Sequence, residues 1–115
     1  MIFVAVALGH HSAAATYDAS HPLTLTGTVA EFAFRNPHSF LSIDVDSGRY
    51  KGRRYVVEMS SAGVLGNSGW RASTVTAGDR IRITVLPSRA GNAAGLCREC
   101  QITINGKVTK AQVLK

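Results

Sequence analysis

The chain has 115 residues, 45% of them hydrophobic and 17% charged, with a formal net charge of +6. That length supports one domain around a single modest core, and that hydrophobic fraction excludes a wholly disordered chain. No apolar run approaches the roughly 20 residues of a membrane-spanning helix. The basic excess favours polyanionic partners, such as nucleic acid, anionic lipid headgroups or acidic envelope polymers, beside the plainer reading of a basic soluble surface.

Residues 1–9, Met-Ile-Phe-Val-Ala-Val-Ala-Leu-Gly, are apolar but too short to span a bilayer. They read as the truncated remnant of a secretory leader: the positive n-region is missing, while Ala7-Leu8-Gly9 puts small residues at the positions a signal peptidase reads. The competing reading is the apolar N-terminal strand of a cytosolic protein. On the export reading the mature chain is periplasmic or secreted and begins His10-His11-Ser12. Residues 10–22 are then a weakly patterned arm, with Tyr17, Asp18 and His21 as its polar features, ahead of one barrel domain over residues 23–115.

Alternation starts at Leu23 and runs through residues 28–35, where Ala30, Phe32 and Phe34 share a face. The phase slips near Gly27, which predicts a bulge or a sharply coiled strand. Asn36-Pro37-His38 forms a stiff corner, because Pro37 fixes φ, lacks an N–H and pushes its neighbour out of the helical region. The second strand, Ser39–Val45, alternates Leu41, Ile43 and Val45 against Phe40, Ser42 and Asp44. A turn and a basic loop over residues 49–54 lead to a third strand over residues 55–59, with Glu58 in the middle of an apolar run.

Ser60-Ser61 can cap a short helix over Ala62–Asn67, closed by Gly66 and Gly69, and Trp70 reads as a plug for one end of the barrel. The fourth strand, residues 80–86, alternates Ile81, Ile83 and Val85 with Arg80, Arg82 and Thr84. Residues 88–95 read as a flexible, exposed loop of Gly, Ala and Asn. The last hairpin pairs residues 101–104 with residues 107–114 around Asn105-Gly106, a strong turn signal. The pattern predicts an all-β, five-stranded OB-like Greek-key barrel with one short helix between strands three and four.

Together, His10-His11-Ser12, Tyr17-Asp18, Leu25-Thr26-Gly27-Thr28-Val29, Asn36-Pro37-His38, Glu58, Gly69-Trp70 and Gly78-Asp79 resemble a family of small exported bacterial proteins catalogued only as a domain of unknown function. The resemblance runs over roughly residues 10–104 and implies export and a small β-barrel, with no activity attached. Cys97-Arg98-Glu99-Cys100 stands outside that pattern.

Three chemistries are worth weighing. No hydrolase elbow, phosphate-binding loop, His-Glu-x-x-His or dinucleotide fingerprint is present, so no catalytic set is named. A metal site draws on His10, His11 and His38, with Glu58 as a further ligand or acid–base group. A mature N-terminal His10 offers its α-amine and its ring to one ion, and another imidazole makes a nitrogen-rich set suited to Cu(II). Against this, a His-His pair at a terminus is often merely solvated, a histidine after proline is often a satisfied turn residue, and a mid-strand glutamate often sits hydrogen-bonded at a rim.

The alternative is an OB-like binding module for an anionic envelope ligand or oligomer, using Arg49, Tyr50, Arg53, Arg54, Arg80 and Arg82, with Tyr50, Tyr55 and Phe40 as stacking candidates. Nucleic acid fits an exported protein poorly. Cys97 and Cys100 read as a local disulfide, as suits an oxidising compartment.

Overall fold

A computed structural model of the chain describes residues 15–110. Its strands are β1 (Leu23–Ala33), β2 (Ser39–Val45), β3 (Arg54–Met59), β4 (Arg80–Pro87), β5 (Ala94–Leu96), β6 (Gln101–Ile104) and β7 (Lys107–Lys110), and the helix α1 (Ala62–Asn67) falls between β3 and β4. The order β1-β2-β3-β5-β4 closes on itself through a β1–β4 ladder from Leu23↔Val85 to Thr28↔Arg80. This is an all-β, five-stranded OB-like barrel with one short helix between the third and fourth strands. Among the described residues, no helix is long and apolar enough to cross a membrane.

The period-two pattern sets the core. Leu41, Ile43 and Val45 of β2, Tyr55, Val57 and Met59 of β3, and Ile81, Ile83 and Val85 of β4 all point inward and are buried. Each such side chain contributes roughly 1.5–3 kcal/mol relative to exposure. Trp70 is buried as well, its ring edge-on to Phe32 at 5.8 Å. In α1 the Ser61 hydroxyl accepts a hydrogen bond from the Val64 N–H, so the expected cap is made.

Two expectations need correction. The phase slip lies between Val29 and Glu31, where Ala30 has no partner on β2, and not at Gly27. Gly27 is paired with Val45, and it is a glycine because a Cβ there would run into the carbonyl oxygen of Asp44. The stretch read as a free loop over residues 88–95 contains most of β5, the strand that closes the barrel. β5 runs parallel to β3 (Val56↔Ala94, Val57↔Gly95, Glu58↔Leu96) and antiparallel to β4 (Leu86↔Leu96, Pro87↔Gly95). Gly95 faces inward with no room for a side chain, since a Cβ would lie 2.9 Å from the Tyr55 hydroxyl and 3.0 Å from the Leu86 carbonyl oxygen.

The β6–β7 hairpin is therefore an addition to the outer edge of β4, joined through Ile81↔Ile104 and Ile83↔Ile102. Its Asn105-Gly106 turn has φ of 49° and 84°, the left-handed pair that this dipeptide favours. The final part of the expected strand, residues 111–114, lies outside the described residues.

Candidate functional site

The corner between β1 and β2 is clamped at several points. The buried Ser39 hydroxyl accepts from the Arg35 N–H at 3.1 Å and donates to the Arg35 carbonyl at 3.2 Å. The Ser39 N–H reaches the Ser60 carbonyl, the Ala62 N–H reaches the Arg35 carbonyl, and the Asn36 side chain accepts from the Gly63 N–H. The Asn36–Pro37 peptide is cis. His38 thus stands on a platform fixed to the start of α1, with its ring about half exposed.

The β2–β3 register places Phe40 opposite Glu58, and the Glu58 carboxylate lies under His38 with Oε2 3.4 Å from Nδ1. The other oxygen, Oε1, accepts a hydrogen bond from the Tyr17 hydroxyl at 3.1 Å. Tyr17 arrives from the arm, which is held along the end of β4. Tyr17 forms a bridge with Ser88, the Asp18 N–H bonds the Pro87 carbonyl at 2.8 Å, and the Arg89 N–H bonds the Thr16 carbonyl at 2.8 Å. Burial, followed by the nearby Glu58 charge and the hydrogen bond to it, raises the Tyr17 phenol above its ordinary value.

Three separated stretches, all within the sequence pattern that carries the family resemblance, therefore meet at one carboxylate. Chemically, the Glu58 oxygen facing Nδ1 favours the tautomer with its proton on that nitrogen. The Nε2 lone pair is then left for a ligand, the arrangement seen where a carboxylate orients a metal-binding imidazole. Glu58 is thereby placed to orient His38. Among the described residues, no group of three or more His, Cys, Asp or Glu side chains is arranged to hold a metal ion. His10 and His11 lie outside the described residues. His21 is turned elsewhere, its Nδ1 2.8 Å from Asp18 Oδ2 and 3.1 Å from the Ser20 hydroxyl. Bonds from Ser20 and then His21 hold the Asp18 carboxyl down to about 2.

Two of the basic residues are matched to carboxylates. Arg54 makes a bidentate pair with Asp44 at 2.8 and 3.1 Å, and Arg80 is paired with Asp46. Arg82 is exposed on β4, between Thr26 of β1 and Thr103 of β6. Arg49 and Arg53 both lie over the ring of Tyr50, at 4.8 and 5.7 Å from its centroid. Tyr50 is 3% exposed and Tyr55 0%, which withdraws both rings from any stacking ligand, while Phe40 is half-buried beneath Arg35. Cys97 and Cys100 are joined as a disulfide with Cα atoms 5.2 Å apart, and the Cys97 N–H bonds the Glu58 carbonyl at 2.9 Å.

Tyr17 stands out in the sequence only as a polar feature of the arm and as part of Tyr17-Asp18, with no site role attached, since a lone aromatic in an unpatterned arm carries no periodic signal.

Fold and site define a class: a small closed barrel whose N-terminal arm is pinned beside a histidine–glutamate–tyrosine cluster at the β1–β2 corner. The chain belongs to the family of unknown function DUF6152, whose model matches residues 1–100. No curated protein and no solved structure matches it.

Proposed function

We propose that the protein is a small exported metal-binding protein, with Cu(II) the favoured ion. His38 Nε2 would join nitrogen ligands from His10 and His11, and Glu58 would orient the His38 ring. The observation that carries this reading is the shared carboxylate: Tyr17 bonds one oxygen of Glu58 while His38 faces the other. The arm is thus anchored beside His38, and the few residues from His11 to Tyr17 span up to roughly 20 Å when extended, which is ample reach. An amine together with imidazoles suits Cu(II), and all of these ligands bind as neutral bases, so affinity falls on acidification. Export is supported by the small residues at Ala7 and Gly9 and by the Cys97–Cys100 disulfide.

The test is a Cu(II) titration, read by calorimetry and electron paramagnetic resonance, on chain beginning at His10 and on the same chain with one extra preceding residue. Submicromolar binding with nitrogen hyperfine structure is expected from the first, with loss in His38→Ala and in the extended chain. Binding indifferent to both changes removes the assignment. Mass spectrometry of native protein checks export, with a chain starting at His10 expected.

A further inference from the structure

A groove of about 470 Å³ lies between the arm and the end of the barrel, on the side of the arm that carries His21. Asp18 and His21 line it from the arm, Arg49 from the β2–β3 loop, and Ser88 and Arg89 from the segment that follows β4. We propose that this groove binds a phosphate-type oxyanion, with Arg49 and Arg89 as its clamp. The proposal is independent of the histidine reading above.

The first support is that the position of Arg49 is built. Tyr50 is a buried ring at the base of the basic loop, edge-on to Tyr55 at 5.1 Å. Its hydroxyl donates to the Gly91 carbonyl at 3.0 Å, which ties the β2–β3 loop to the loop carrying Arg89. The same hydroxyl accepts from Arg49 Nη2 at 2.7 Å, and the Arg49 guanidinium lies over the ring. Arg49 is therefore held in one orientation before any ligand arrives, which removes much of the ordering cost of a flexible side chain.

The second support is charge. Arg54 and Arg80 have carboxylate partners in Asp44 and Asp46, whereas no described carboxylate forms an ion pair with Arg49 or with Arg53, which shares the Tyr50 ring. Of these two, Arg49 lines the groove, and it brings there a positive charge that no described carboxylate offsets by an ion pair. The carboxylate that lines the groove, Asp18, is already engaged within the arm. Its Oδ1 accepts from the Ser20 N–H and hydroxyl at 3.0 and 2.6 Å, and its Oδ2 faces His21 Nδ1.

The third support is chemical fit. Guanidinium N–H groups in a fixed fork match the oxygens of a phosphoryl group in bidentate fashion. The volume falls within the roughly 300–1,000 Å³ of small-molecule sites, large enough for a phosphomonoester or a phosphate headgroup. Both sources share the phosphoryl group, so the experiment separates them.

The probes are inorganic phosphate and glycerol 3-phosphate, followed by backbone amide resonances of the full chain at low salt, and vesicles of phosphatidylglycerol in phosphatidylcholine, followed by co-sedimentation against phosphatidylcholine alone. Saturable shifts centred on Ser88, Arg89 and Gly91, or vesicle binding that depends on Arg49, are expected. Soluble probes acting alone identify a free phosphorylated compound, and vesicles acting alone identify a headgroup. Arg49→Gln and Arg89→Gln should each weaken binding about tenfold, and Arg49→Lys, which keeps the charge but not the fork, should weaken it as well. Arg54→Gln and Arg80→Gln should leave it unchanged. Unchanged thermal midpoints for these variants exclude unfolding as the cause. Shifts that never saturate, no response to any probe, or equal loss from Arg54→Gln would overturn the assignment.

Discussion

Glu58 has two tasks that a single carboxylate can meet only because its oxygens face opposite partners. Oε1 holds the arm through Tyr17, and Oε2 sets the His38 ring. Replacing it with glutamine keeps the shape but removes the charge and half of the accepting capacity. If His38 is a ligand oriented by this carboxylate, Glu58→Gln should weaken Cu(II) binding by about 10–100-fold without removing it, while His38→Ala removes it. A Glu58→Gln protein that loses all nitrogen hyperfine structure would instead mean that the carboxylate is itself a ligand.

Tyr55 illustrates a different physics at the same scale. Its hydroxyl donates to the Ala94 carbonyl at 2.8 Å inside the barrel, and burial, above all other causes, pushes its phenol up to about 12. The unfolded chain ionises near the ordinary value of about 10, so the folded state holds its proton more tightly. The stabilisation is complete below about pH 10 and is lost as pH rises toward 12. Tyr55→Phe should lower stability at neutral pH by about 1 kcal/mol through the lost bond. It should also flatten the alkaline limb of a thermal-stability profile above pH 10; an alkaline limb identical to that of the parent protein would show that other groups control it.

Among the elements, β5 holds the most instructive contrast. β2, β3, β4 and α1 were legible because each carries either a strict alternation or a capped apolar turn, and the Asn105-Gly106 turn announces itself. Ala94-Gly95-Leu96 carries no β-branched residue and no alternation, since its strand character comes from β3 and β4 on either side. A parallel pairing with β3, across the whole of α1 and β4, leaves no local trace in the chain. Gly95 looked like loop flexibility and is instead a close approach. Gly95→Ala should cost roughly 1–3 kcal/mol, as overpacking does. Gly66→Ala makes the matched control. It sits in α1 with nothing within 4 Å of the new methyl, so stability should hold or rise by up to about 1 kcal/mol. Equal effects at the two positions in chemical denaturation would contradict this account of β5.

The candidate site was partly legible for a related reason. His38 on its corner and Glu58 in its strand could be singled out from residue type and position. The pairing of Arg54 with Asp44 follows from hairpin register, and that of Arg80 with Asp46 from the closure of β4 onto β1. Neither register could be fixed before the turn length and the closing strand were known. The burial of Tyr50 was hidden likewise, because its partners at Gly91 and Asn92 come from a segment that read as free.

At the scale of the whole molecule, the barrel closes within Leu23–Ala33 to Ala94–Leu96, all inside the part matched by the family model, while β6 and β7 lie beyond its residue 100. The closure itself is short. β5 makes three residue pairs with β3 and two with β4, against the six pairs that join β1 to β4. The arm crosses this place. Its backbone is bonded to the end of β4 at Pro87 and Ser88, its Tyr17 side chain reaches Glu58 on β3, and Pro22 lines a crevice shared with Leu86 and Leu96. Leu96 is only 8% exposed although it lies outside the core cluster.

A closed sheet with one brief seam opens there first, and a strap laid across the seam sets how often it opens. In amide hydrogen exchange, Tyr17→Phe should therefore speed the Cys97 and Ser88 amides, which bond Glu58 and Ala94 across that seam, while the amides joining β1 to β2 stay at their parent rates. No acceleration would mean that the barrel holds shut without its arm, and a uniform one that the arm acts on the whole fold and not on the seam. Where the seam does respond, whatever grips the arm from outside also governs the breathing of the barrel, and occupancy at the surface becomes readable as protection in the interior.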